Sequence, residues 1–157
     1  MTTDHAEITP DGDRATVTLR RRFDTSAEDL WAALTEPERL ARWFGAAATV
    51  RPGAGGRVEL RWEQPEQWVR GDILTWRPPE LLEYEWHFPG ESESVVRFEL
   101  TPDGDGCLLT LTHRRLGPAG SGYAPAWHAY LDRLLALYRG EDLAWEQRFA
   151  ELMPEYR

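Results

Sequence analysis

The chain has 157 residues, a length that fits one domain with a sizeable core. Its 18 Lys and Arg against 27 Asp and Glu give a formal net charge of −9, which argues against nucleic acid or an anionic membrane surface as the main partner. Cys107 is the only cysteine, so an internal disulfide is excluded and a reducing, cytoplasmic location is expected. The polar first residues are unlike a signal peptide, and no apolar run approaches the ~20 residues of a membrane helix, so no membrane insertion is expected.

The N-terminal part is predicted to hold a tail and one strand. Residues 1–13 are expected to be a frayed tail that ends in a turn at Asp11-Gly12. Residues 14–23 alternate between apolar and polar side chains, which predicts a half-buried strand. Arg21 falls on its apolar face. It lies either at the edge of the core with its guanidinium reaching solvent, or at the mouth of a pocket.

Two short helices should follow this strand. Residues 25–28, TSAE, form a capping box in which Thr25 caps the first helix and Glu28 reaches back. Pro37 ends that helix and begins the second, which Gly45 closes. The glycine-rich stretch 51–56 is predicted to be a turn and not a phosphate cradle, because it lacks the Lys-Ser/Thr of a P-loop and a strand follows it.

The middle of the chain is predicted to be a run of antiparallel strands, at about 57–63, 68–76, 82–88, 96–100 and 109–113. Gly71 indicates a bulge or a close packing point. Glu83 and Glu85 are two residues apart on the outer face of their strand, and we expect both carboxylates to be solvated. The Asp103–Gly106 stretch, DGDG, is a strong hairpin signal.

Residues 122–140 are predicted to form one long amphipathic helix. Pro125 suits its first turn and Gly140 its end, and a stripe of apolar residues recurs at helical spacing: Trp127, Leu131, Leu134, Leu135 and Tyr138. His128, beside this stripe, is expected to be partly exposed. A curved antiparallel sheet wrapped around this helix, an α+β fold, is the simplest way to bury both apolar surfaces.

A further helix is predicted over residues 141–153, ending at Pro154. Its apolar face carries Trp145, Phe149, Leu152 and Met153, and something must cover that face. Packing back on its own domain is one alternative, and a partner chain or a homodimer contact is the other.

Taken together, several motifs resemble the START-like, helix-grip superfamily, and more closely the branch named after the activator of heat-shock protein 90 ATPase. They are LWAALT at 30–35, PE at 37–38, ARWF at 41–44, GDIL at 71–74, PPELLEYEW at 78–86 and WHAYLDRL at 127–134. We expect residues 1–157 to form one domain. The resemblance covers about residues 14–140 of it, and the helix after Gly140 is an addition. It implies a sheet that grips the long helix, often with a cavity between them. Members of the wider superfamily bind lipids, sterols, hormones or polyketides there, and some are cyclases or hydrolytic enzymes.

The inward positions of several elements supply candidate ligand-binding residues: Trp43, Phe44, Trp62, Trp86, Phe98, His113, Trp127 and Leu131. A mostly apolar pocket with one or two polar groups suits a small apolar or amphipathic molecule, although a filled core would draw on the same residues. His113, at the end of the last strand, is either a hydrogen-bonded core residue or a group that contacts a ligand or acts as a base. Ser121, His113 and Asp132 could be written as a triad, but no nucleophile-elbow pattern surrounds Ser121.

The histidine and cysteine spacings contain no metal-ligand pattern, so neither a metal nor a cofactor is expected. Three hypotheses remain: a binding module for a small apolar or amphipathic molecule, a cyclase- or hydrolase-like enzyme that uses the same cavity with His113 as acid or base, and a protein-interaction or co-chaperone-like module.

Overall fold

The structure is a computed structural model that describes residues 5–117, 120 and 122–156. Eight antiparallel strands form one curved sheet in the order β1-β2-β8-β7-β6-β5-β4-β3. The strands are β1 (Glu7–Asp11), β2 (Arg14–Phe23), β3 (Ala47–Arg51), β4 (Arg57–Arg61), β5 (Trp68–Arg77), β6 (Leu81–Trp86), β7 (Ser94–Asp103) and β8 (Gly106–Leu116). The helices are α1 (Ala27–Thr35), α2 (Pro37–Phe44), α3 (Tyr123–Tyr138) and α4 (Trp145–Leu152), and a 3-10 turn follows at Met153–Tyr156.

The long helix α3 packs on the sheet as its apolar stripe predicts. Trp127, Leu131 and Leu134 are buried in one core with the inward side chains of β2 and β4–β8. Helices α1 and α2 close one side of this core through Leu30, Trp43 and their neighbours. The predicted α+β fold, with a curved antiparallel sheet around one long helix, is confirmed.

Two edge strands were not predicted. The expectation of a frayed tail is wrong for Glu7–Asp11, which pairs with β2 from Glu7↔Thr18 to Asp11↔Arg14. Residues 1–4 of that expected tail lie outside the described residues. Ala47–Arg51 likewise pairs with β4. Every side chain of β1 is exposed, so its sequence carries no apolar alternation and backbone hydrogen bonding alone defines the strand.

The start of α1 differs by one residue from its prediction. Ser26, and not Thr25, is the N-cap, because its Oγ accepts the backbone N–H of Asp29 at 3.1 Å. The Thr25 hydroxyl donates to the Asp29 carboxylate at 2.9 Å. Both hydroxyls therefore form hydrogen bonds with Asp29 in the first turn of α1. Thr25 and Ser26 each match the Ser/Thr signature of a helix start.

Two polar residues are more buried than their patterns predicted. Glu83 lies on the outer face of the sheet but is only 7% exposed, because two guanidinium groups cover its carboxylate, that of Arg97 on the adjacent β7 and that of Arg114 on β8 beyond it. The expectation of a solvated Glu83 is therefore wrong. His128 is 2% exposed, because the C-terminal turn covers it, so the expected partial exposure is also wrong.

Gly71 is a close packing point. A Cβ at this position would lie 1.5 Å from the backbone oxygen of Glu85, so only glycine allows β5 and β6 to approach this closely. The register shift of β5 lies further along, between Ile73 and Thr75.

The C-terminal helix is shorter than predicted. Residues 141–144 are not helical, α4 begins at Trp145, and the chain continues past Pro154 as a 3-10 turn. Throughout this article, residues 141–156 are called the C-terminal segment.

Candidate ligand-binding cavity

A cavity of about 810 Å³ lies between the end of β6, the connection from β4 to β5, helix α3 and the C-terminal segment. Seven aromatic side chains contribute to its wall: Phe44, Trp62, Trp86, Phe88, Tyr123, Tyr130 and Trp145. Arg133 and the acidic residues Glu63, Asp142 and Glu146 also line it. Its volume and aromatic lining are typical of sites that bind small organic molecules.

Hydrogen bonds hold the aromatic wall in place. The indole N–H of Trp62 donates to the backbone oxygen of Phe44 at 3.0 Å. The indole N–H of Trp86 donates to the Tyr123 hydroxyl at 3.0 Å, and that hydroxyl donates to the Glu91 carboxylate. Because the polar edges of these rings are satisfied within the protein, the rings can present apolar surface to a ligand.

The C-terminal segment supplies the outer wall. Trp145 stacks on Tyr130 of α3 with ring centroids 5.0 Å apart, and Phe149 stacks on the other side of Trp145 at 4.7 Å. The indole N–H of Trp145 donates to the backbone oxygen of Ala126 at 3.3 Å. The cavity thus owes one of its walls to the residues that follow the long helix.

Asp132 ties this segment to the core. Its carboxylate accepts from Arg148 of α4 at 2.8 Å and from the buried Arg21 of β2 at 2.8 Å. Arg21 therefore points neither to solvent nor into the cavity, and its guanidinium neutralises Asp132 from inside the fold. Leu152 is fully buried at the end of α4.

Tyr156 closes the segment onto the start of the chain. Its hydroxyl accepts the backbone N–H of Ala6 at 2.7 Å and lies 2.7 Å from Nδ1 of His128. Burial lowers the pKa of His128 to about 4, so the imidazole is neutral. Its Nε2 lies 3.5 Å from the Asp132 carboxylate, which fits the Nε2–H tautomer with Nδ1 accepting from the hydroxyl. The 3-10 turn after α4 is therefore held against the start of the described chain and against α3.

His113 lies behind the wall and not in it. Its Nδ1 accepts the indole N–H of Trp127 at 2.9 Å, and its Nε2 lies 2.7 Å from the Ser94 hydroxyl, which donates to the Trp86 backbone oxygen at 3.3 Å. This pattern requires the neutral Nε2–H tautomer. Burial lowers the pKa of His113 to about 3, in agreement with that tautomer.

Of the eight predicted site residues, Phe44, Trp62 and Trp86 line the cavity. The other five are buried in the core and do not line it: Trp43, Phe98, His113, Trp127 and Leu131. Sequence reasoning missed Tyr123, Ala126, Tyr130 and Arg133, which recur at helical spacing on the face of α3 beside the apolar stripe. Their spacing marks a second face of the helix in the sequence, but the apolar stripe on the neighbouring face is the stronger periodic signal.

Of the triad that could be written from the sequence, His113 and Asp132 lie in the described part of the chain. Ser121 lies outside the described residues, and the nearest polar groups of His113 and Asp132 are those given above. Within residues 5–117, 120 and 122–156, no group of three or more His, Cys, Asp or Glu is placed to hold a metal ion. No helix in these same ranges is long and apolar enough to cross a membrane.

A second cavity of about 560 Å³ lies at the opposite end of β6, between the start of α1, the turn before β6 and the β7–β8 hairpin. Six charged residues contribute to its lining, and none of the residues described along it is aromatic. The first cavity is therefore the better candidate for a ligand site.

The family model described as "Activator of Hsp90 ATPase homolog 1-like protein" matches residues 24–139, and the chain belongs to this family. The family match and the fold confirm the resemblance seen in the sequence. The family match supports a ligand-binding or Hsp90-activator-like module. The C-terminal segment lies outside the matched residues.

Solved structures of similar fold come from several organisms. The crystal structure of CalU16 from Micromonospora echinospora is 25% identical, with 97% of this chain and 94% of that chain covered and a TM-score of 0.70. Protein MLL2253 from Mesorhizobium loti is 26% identical, with 82% and 99% covered and a TM-score of 0.73. PFC0360w, an HSP90 activator from Plasmodium falciparum, is 19% identical, with 80% and 96% covered and a TM-score of 0.67, and shares the fold alone. No curated protein matches the chain.

Proposed function

We propose that this protein binds one small amphipathic molecule in the cavity between the sheet, α3 and the C-terminal segment. The observation that carries the proposal is the aromatic wall, in which seven ring systems surround a space of about 810 Å³. Burying an apolar molecule there removes apolar surface from water on both sides, at about 25 cal/mol per Å². We expect the polar residues that line the cavity to leave one end of the ligand in contact with solvent.

The test fills the cavity without removing any wall residue. Ala126 lines the cavity from α3, so Ala126→Phe should occupy the space of the ligand and leave the sheet and α3 in place. Leu137→Phe is the matched control, because Leu137 is an exposed residue of the same helix that does not line the cavity.

Binding is measured with N-phenyl-1-naphthylamine, a neutral fluorescent probe, and with small molecules that remain bound in native mass spectrometry. We expect one saturable site in the original protein and in Leu137→Phe, and at least tenfold weaker binding in Ala126→Phe. Binding that is unchanged in Ala126→Phe would contradict the proposal. Stimulation of an Hsp90 ATPase that is equally strong in Ala126→Phe would also contradict the proposal, since that activity would then reside on the surface and not in the cavity.

A further inference from the structure

Among the described residues that line the cavity, Arg133 is the one cationic side chain. Its guanidinium forms no hydrogen bond or ion pair with any residue in the described part of the chain, and it lies beside the end of α2. A Cβ at Gly45 would lie only 3.1 Å from Nη1 of Arg133, so glycine at this helix end leaves room for the guanidinium. Arg133 therefore presents up to five N–H donors at the edge of an aromatic cavity.

Tyr130 adds a second donor on the same face of α3. It lies three residues before Arg133, which is the spacing of neighbours on a helix surface, and both residues line the cavity. Burial raises the pKa of Tyr130, so its hydroxyl keeps its proton throughout the physiological range. A guanidinium and a phenol on adjacent turns form a pair that recognises an oxyanion.

Three acidic side chains also line the cavity, but they are less well placed to determine the charge of the ligand. Glu63, Asp142 and Glu146 are exposed, whereas Arg133 is half-buried. Salt screens exposed charges over about 8 Å at physiological ionic strength, so their repulsion of an anionic ligand is weakened. A charge-assisted hydrogen bond to a partly buried guanidinium is screened less and is stronger than a neutral one.

We propose that the ligand carries an oxyanion, such as a carboxylate or sulfonate, that is held by Arg133 and Tyr130 while its apolar body lies against Trp62, Trp86 and Trp145. This inference rests on the proposed function, because it assigns the charge of a molecule in the same cavity. It specifies an amphipathic acid and excludes a neutral or cationic molecule as the preferred ligand.

The experiment compares two fluorescent probes with the same ring system. 8-Anilinonaphthalene-1-sulfonate carries a sulfonate, and N-phenyl-1-naphthylamine is its neutral counterpart. We expect the sulfonate to bind more tightly to the original protein, and Arg133→Gln to weaken its binding about tenfold or more while the neutral probe changes less than twofold. Tyr130→Phe should weaken the sulfonate by a smaller factor.

Arg139→Gln is the matched control, because it removes an equal charge from an exposed position at the end of α3. It should leave both affinities unchanged. If the neutral probe binds in a way that Ala126→Phe abolishes, but Arg133→Gln affects both probes equally or neither, the oxyanion is disproved and the cavity function stands. If neither probe binds at a site that Ala126→Phe removes, the proposed function itself fails.

Discussion

At the scale of single residues, His113 shows how an aromatic core holds a polar group. The imidazole is fully buried between Ser94 and Trp127, and each of its two nitrogens has a partner that fits one neutral tautomer. A buried polar group costs little when it is hydrogen-bonded and much when it must become charged. His113 therefore fixes the indole of Trp127 and supports the cavity wall from behind.

This arrangement predicts a loss of stability in mild acid. The pKa of His113 is lowered from 6.5 to about 3 in the folded protein and that of His128 to about 4, so the unfolded chain binds more protons than the folded one between pH 6.5 and about 4. Since the unfolded state gains protons there, the free energy of unfolding should fall as pH falls, by about 1.4 kcal/mol per pH unit for each histidine. Urea unfolding between pH 4.5 and 7.5 measures this slope.

The side-chain nitrogen resonances of His113 provide an independent check. They should report the neutral Nε2–H tautomer at pH 6 and show no titration above pH 4. A His113 that gains a proton near pH 6.5, or a stability that is constant over this range, would contradict the hydrogen-bond assignment.

At the scale of elements, the C-terminal segment covers one side of the cavity and is attached to the domain at a few points. Arg148 joins it to Asp132, Leu152 anchors its end and Tyr156 reaches the N-terminus through Ala6. Between these attachments and α3, the ring of Trp145 forms the outer wall, and Phe149 stacks on that ring. A molecule in the cavity is thus retained by an element that depends on a few anchors.

Removing the buried side chain of Leu152 should therefore loosen the C-terminal segment. Leu152→Ala removes a fully buried side chain at a cost of about 2–4 kcal/mol, and most of this cost should fall on α4, which packs on the domain from outside. We expect faster amide hydrogen exchange in α4 and a faster dissociation rate of bound N-phenyl-1-naphthylamine. Met153→Ala, at a neighbouring residue that is 41% exposed, should change neither quantity. Amide hydrogen exchange that rises equally in α4 and in the sheet would show that the C-terminal segment does not open independently of the sheet.

At the scale of the whole molecule, the packing of α4 bears on its association. The face that carries Trp145, Phe149 and Leu152 packs on its own chain, largely on α3. The large apolar side chains that stay exposed in the described residues are Ile8, Leu74, Leu137 and Met153, and they belong to different elements. Scattered single residues of this kind do not form an interaction patch.

We therefore predict a monomer in solution. Light scattering coupled to gel filtration should give a mass near 18.1 kDa at micromolar concentration, and the formal charge of −9 opposes self-association. A mass near twice this value would revive the homodimer alternative that the sequence left open. A Leu152→Ala variant that changes that mass would place the contact at α4.

The sequence by itself determined the kind and order of most elements, because alternation, caps and turn residues are local signals. The strand at 14–23, the helix pair that Gly45 ends and the stripe through Trp127 and Leu131 could all be predicted in this way. The edge strands β1 and β3 could not, since backbone pairing defines them and their side chains are largely exposed. Periodicity reports which face of an element is apolar, but not what packs on it.

For the same reason, only the tertiary structure decided which aromatic residues face the cavity. Trp127 and Trp145 are both tryptophans on apolar helix faces, yet the first is sealed in the core and the second forms the outer wall. The difference depends on the curvature of the sheet and on how the C-terminal segment folds back across α3, and neither is encoded in local spacing. The burial of Glu83 by Arg97 and Arg114 has the same origin, because those partners come from two other strands, β7 and β8, that only the assembled sheet brings together.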